Sequence, residues 1–129
     1  MKAIYKILIV EDEKVFQDIL TERLSKEPSF KIYTANNGKE GLEACTNYSP
    51  DLILLDIRMP IMDGVTMMKE MKKNEQFALI PIIFLTSIEA DDSILEEIDK
   101  DKPAFYLIKS KMNLQDIVDK IKETLSAVN

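Results

Sequence analysis

Apolar residues fall along the chain in short unbroken runs, separated by stretches whose apolar positions recur at helical spacing. Leu52–Leu55 is such a run and leads directly into one carboxylate, Asp56. Continuous apolar runs fit strands covered on both faces, as in a parallel sheet with helices on either side. Lys6–Val10 is a second run, closed by Glu11-Asp12-Glu13. Lys31–Ala35 is shorter and more polar, as expected of an edge strand. Ile80–Leu85 ends in Thr86-Ser87, with Pro81 near its start where a missing N–H is tolerated. Ala104–Ile108 ends in Lys109. Between these strands the spacing predicts helices over Lys14–Lys26, Lys39–Tyr48, Val65–Lys73, Ala90–Lys100 and Asn113–Leu125. The first carries Val15, Phe16, Ile19, Leu20 and Leu24 on its apolar positions. Five alternations of strand and helix imply an α/β fold with a parallel sheet and helices on both faces.

Composition narrows the class. The chain has 129 residues, 46% of them hydrophobic and 31% charged, which fits one globular domain spanning 1–129. A net charge of −6 argues against direct nucleic-acid binding. With no histidine, a Cys–His dyad and a His-ligated metal are impossible. The lone cysteine, Cys45, excludes an internal disulfide and reads as a small core or boundary residue rather than a nucleophile. No signal peptide or membrane span is visible, so a cytoplasmic location is expected.

The strand ends carry the chemistry. Glu11 and Asp12, Asp56, Thr86 and Lys109 each follow a strand, and an open α/β sheet binds ligands beyond its strands' carboxyl ends. Crowded carboxylates repel one another unless a cation joins them, and all-oxygen ligands suit Mg²⁺. The metal would leave Asp56 ionised and able to attack phosphorus, with Lys109 as second cation and Thr86 as hydroxyl donor. Each residue also has a plainer reading. Asp56 and Thr86 are placed to cap turns, Tyr106 to be an ordinary strand aromatic, and Asp63-Gly64 to be a turn rather than a ligand. Met59, Met62, Met67, Met68 and Met71 read as packing and loop filler.

Taken together, Ile9-Val10-Glu11-Asp12, Leu55-Asp56-Ile57-Arg58-Met59-Pro60, Asp63-Gly64, Thr86-Ser87 and Tyr106-Leu107-Ile108-Lys109 resemble the receiver domain of two-component response regulators, in its single-domain, chemotaxis-regulator type. The resemblance covers essentially the whole chain. It implies a flavodoxin-like (βα)5 fold of strand order 2-1-3-4-5 and phosphorylation of Asp56. It further implies metal ligation (Mg²⁺ or Mn²⁺) by Asp12, Asp56 and the Arg58 backbone carbonyl, with Glu11 acting through water. Lys109 would bind phosphate, while Thr86 and Tyr106 would switch an output surface of fourth helix, fifth strand and fifth helix. A sensor histidine kinase or phosphotransfer protein would supply the phosphoryl group and a downstream protein would receive the signal. Such a chain is a monomer or a phosphorylation-dependent dimer, and is no enzyme beyond its own phosphorylation and dephosphorylation. The competing readings are a pseudo-receiver that binds without phosphorylation and a small phosphatase with an aspartyl nucleophile. Against the second, Arg58 stands where such a phosphatase commonly has its second acid.

Three places depart from the family pattern: Glu11 stands where many relatives have aspartate, though its longer reach still suits a water-mediated contact, and two more lie near the fifth strand. Ser110 follows Lys109 where relatives usually have a cis proline; without proline a cis bond costs about 2.5–4 kcal/mol, so a trans loop or visible strain is expected. Asp99-Lys100-Asp101-Lys102-Pro103 replaces the usual small residues before the fifth strand.

Overall fold

The computed structural model describes residues 2–87, 93, 95, 96, 98 and 103–127. Its elements are β1 (Tyr5–Val10), α1 (Lys14–Ser25), β2 (Phe30–Ala35), α2 (Gly38–Tyr48), β3 (Leu52–Leu55), α3 (Gly64–Lys72), β4 (Ile82–Thr86), β5 (Phe105–Ile108), a 3-10 turn (Lys109–Lys111) and a last helix, α4 (Leu114–Ala127). Most of the predicted helix over Ala90–Lys100 lies outside the described residues; Ser93, Leu95, Glu96 and Ile98 are helical.

All strand pairs are parallel and the order is β2-β1-β3-β4-β5. The strand side chains divide by parity, as a period of two requires. Leu8, Val10, Ile53, Leu55, Ile82 and Phe84 face a core closed by Ala44 and Cys45 of α2 and by Val65, Met67, Met68 and Met71 of α3. Ile7, Ile9, Leu52, Leu54, Ile83 and Leu85 face the other core, closed by Leu20 and Leu24 of α1 and by Ile117, Val118, Ile121 and Leu125 of α4. The methionines 67, 68 and 71 are thus fully buried filler, as expected. Burial also pushes the Cys45 thiol up to about 11, so it stays protonated and inert.

Helix ends follow local chemistry. The Asn37 side chain accepts from the Glu40 amide to start α2, and Asp63 accepts from the Thr66 amide to start α3. The Asp63-Gly64 pair is therefore a turn and cap, in line with its plainer reading. Asn113 and Asp116 exchange side-chain and backbone hydrogen bonds at the head of α4.

Two expectations shift, and one open alternative resolves. Strand β4 begins at Ile82, two residues later than its apolar run, because Pro81 gives only its carbonyl, to Ile53 N–H. On α1, Val15 is 68% exposed and Ile19 is also exposed, while Gln17 is buried; the helix inserts a polar side chain at the sheet's carboxyl edge. No cis peptide bond occurs among the described residues, and Lys109-Ser110-Lys111 form the 3-10 turn, so the trans alternative holds at Ser110.

Candidate functional site

Strand order reverses between β1 and β3, and the residues just past those two strands are Glu11 and Asp56. That is the crevice where open α/β sheets bind ligands. The ladder fixes the two acids side by side. The Asp56 amide donates to the Val10 carbonyl at 3.0 Å, and the Glu11 amide donates to the Ala35 carbonyl at 3.0 Å. One carboxylate oxygen from each of Glu11, Asp12 and Asp56 lies within 4.8 Å of the other two. Glu11 and Asp56 are buried and Asp12 is exposed, so the cluster opens to solvent on the Asp12 side.

Lys109 enters from the far edge. It begins the turn after β5, two strands from Asp56, and its Nζ lies 2.5 Å from Glu11 Oε1 and 3.6 Å from Asp56 Oδ2. The other oxygens are held locally: Asp56 Oδ1 accepts from the Ile57 amide at 2.7 Å, and Glu11 Oε2 accepts from the Glu13 amide at 3.0 Å. Burial raises the Glu11 carboxyl to about 7 even though the Lys109 ammonium and the Glu13 amide pull the other way; the Asp56 charge adds to the rise.

Thr86 is buried at the carboxyl end of β4, in register with Ile108 of β5. Tyr106 is half-buried beside Phe84, ring centroids 6.3 Å apart, and Arg58 is exposed. Glu11, Asp12, Asp56, Thr86 and Lys109 therefore lie at the carboxyl rim of the sheet, Tyr106 sits within β5, and Glu11, Asp12, Asp56 and Lys109 converge in one cluster.

Two neighbours went unnoticed in the sequence. The Gln17 amide nitrogen, buried, lies 2.9 Å from the Glu11 carbonyl, 3.2 Å from the Ala35 carbonyl and 3.1 Å from Asn36 Oδ1. Phe16 places its ring centroid 4.4 Å from Lys109 Nζ. Gly64 had been visible as a turn residue, but its reason is packing. Its amide donates to the Ile57 carbonyl at 2.8 Å, and a Cβ there would collide with the Asp56 carbonyl oxygen.

The donor set fits a hard divalent cation: oxygen ligands only, two or three of them carboxylates, with an open side for water. A doubly wound five-stranded sheet with an acid cluster and a lysine at its switch point defines the class. The response regulator receiver domain family matches residues 7–122, and the chain belongs to that family, the phosphoacceptor domains of two-component signalling. Sporulation initiation phosphotransferase F of Bacillus subtilis (strain 168) is 33% identical over 120 residues, covering 93% of each chain. The regulatory protein AtoC of Escherichia coli (strain K12) is 36% identical over 96 residues, 74% of this chain and 20% of that protein. The chain thus spans a fraction of the length of several relatives it matches. A CheY-like receiver domain protein from Methanospirillum hungatei JF-1 superposes with a TM-score of 0.86 at 27% identity, covering 96% of this chain and 95% of that one. Among the described residues no helix is long and apolar enough to cross a membrane.

Proposed function

We propose that residues 1–129 form one phosphoacceptor domain in which Asp56 receives a phosphoryl group from a histidine kinase or a phosphotransfer protein. The observation that carries this reading is the convergence of Glu11, Asp12 and Asp56 oxygens within 4.8 Å, with Lys109 Nζ 3.6 Å from Asp56. A carboxylate oxygen of Asp56 attacks phosphorus, and the bond to the donor breaks with its electrons leaving on the donor atom. Lys109 offsets the negative charge on the transferring oxygens, worth most in a partly desolvated site. Asp12, Asp56 and the Arg58 carbonyl would hold Mg²⁺ (or Mn²⁺), with Glu11 reaching it through water. When bound, the ion supplies charge neutralisation for the carboxylates and the incoming phosphate.

Thr86 and Tyr106 stand at the rim of β4 and along β5, where a phosphoryl group on Asp56 would bias two arrangements of the neighbouring surface. The output is then a change in affinity for a downstream protein, in the cytoplasm, with no catalytic turnover of outside substrates. Convergence of the acids with Lys109 supports this reading over a pseudo-receiver. Incubation with acetyl phosphate and Mg²⁺ should add one phosphoryl group by intact-mass measurement, and Asp56→Asn should take none. An unchanged wild-type mass would overturn the reading.

A further inference from the structure

Phe16 has no part in the reading above, yet it touches the residue that reading depends on. It lies in the first turn of α1, half-buried, while its apolar neighbour Val15 points to solvent. Among the described residues, Lys109 Nζ meets Glu11 Oε1 at 2.5 Å, Asp56 Oδ2 at 3.6 Å and the Phe16 ring centroid at 4.4 Å. An ammonium within about 6 Å of an aromatic face is drawn to it, and more strongly as water is excluded. The Lys109 side chain is 12% exposed.

The three holds differ in kind. Glu11 and Asp56 attract Lys109 through charges that the reaction itself redirects, Asp56 by forming a bond to phosphorus and Glu11 by serving the metal pocket. The ring's attraction is independent of both. A lysine is a point charge on a flexible four-carbon stem, so it needs a fixed contact to stay over the pocket. We propose that Phe16 is a positioning residue for Lys109: its ring holds the ammonium beside Asp56 while the carboxylates are engaged elsewhere. This rests on the phosphoacceptor reading. The ring takes no part in bond making, and no proton moves.

The test compares wild type, Phe16→Leu and Phe16→Tyr for the rate of phosphorylation by acetyl phosphate with Mg²⁺, a donor that needs no docking surface. Leucine keeps apolar bulk without the aromatic face and should slow the reaction about three- to tenfold; tyrosine should keep the wild-type rate. In parallel, NMR of the metal-free proteins should show the Lys109 ε-methylene protons displaced by the ring current in wild type and Phe16→Tyr, and at random-coil positions in Phe16→Leu. A leucine variant as fast as wild type, a tyrosine variant as slow as leucine, or undisplaced Lys109 protons in wild type would each overturn the inference alone. A wild type that takes up no phosphoryl group would overturn the phosphoacceptor reading and this inference with it.

Discussion

At Ile61 a β-branched side chain sits on a backbone with φ of 70°, and the Met62 amide donates to the Pro60 carbonyl at 2.7 Å across it. This is a γ-turn of the strained hand, occupied by a residue type poorly suited to positive φ. The side chain is 79% exposed, so no core contact offsets the strain. Ile61→Asn should therefore raise stability by about 1 kcal/mol, seen as a higher urea midpoint with an unchanged slope. An unchanged or lower midpoint would show the strain to be absorbed by the loop. The same residue marks a limit of reading from sequence. Asp63-Gly64 announced a turn, but nothing in Pro60-Ile61-Met62 signalled positive φ, since isoleucine argues against it. Asp56 was legible for the opposite reason: a lone acid after four buried apolar residues has only the strand end to occupy.

Helix α1 shows how an element can be located correctly and still be turned wrongly. Its extent matched its apolar spacing to one residue, but spacing alone put Val15 and Ile19 on the apolar face, where the structure instead exposes them and buries Gln17. The start of α1 lies over the carboxyl ends of β1 and β2, where carbonyls end their ladders and need donors rather than methyl groups. Gln17 answers that need by bridging the Glu11 and Ala35 carbonyls and Asn36. Gln17→Leu should leave the buried Glu11 carbonyl short of this donor, while the Ala35 carbonyl keeps the Glu11 amide, and lower stability by about 1–3 kcal/mol. Because that carbonyl belongs to the Glu11 backbone, Mg²⁺ affinity should weaken as well. Thermal unfolding and a Mg²⁺ titration would check the two effects, and a variant as stable as wild type would refute the bridging role. Residues that meet only after folding, such as Phe16 and Lys109, left no local trace at all.

At the scale of the molecule, the pocket exists only when segments around positions 11, 56 and 109 are assembled, so a ligand of the pocket is also a ligand of the fold. Mg²⁺ should raise the unfolding temperature, by an amount equivalent to about 2.7 kcal/mol at a hundredfold excess over Kd. Protonation opposes this. With the Glu11 carboxyl at about 7 in the folded protein and near 4.5 unfolded, the folded state holds the proton more tightly. The metal-free fold is thus favoured by this group below pH 4.5, and loses that contribution as pH rises toward and past 7. Mg²⁺ binding, which needs the carboxylate, moves the other way, and its apparent Kd should rise about tenfold from pH 8 to pH 6. A pH-independent Kd over that range would mean that Glu11 gives nothing to the ion.

The contact between Gly64 and the Asp56 carbonyl leaves the acid's main chain no room to retreat toward α3. Packed atoms hardly compress. In the proposed reading, bulk and charge added to the Asp56 side chain would therefore be spent in the opposite direction, across β4 toward Thr86, Tyr106 and Lys109. For want of one methyl group at Gly64, a phosphoryl group on Asp56 would have only the side of β4 and β5 on which to act.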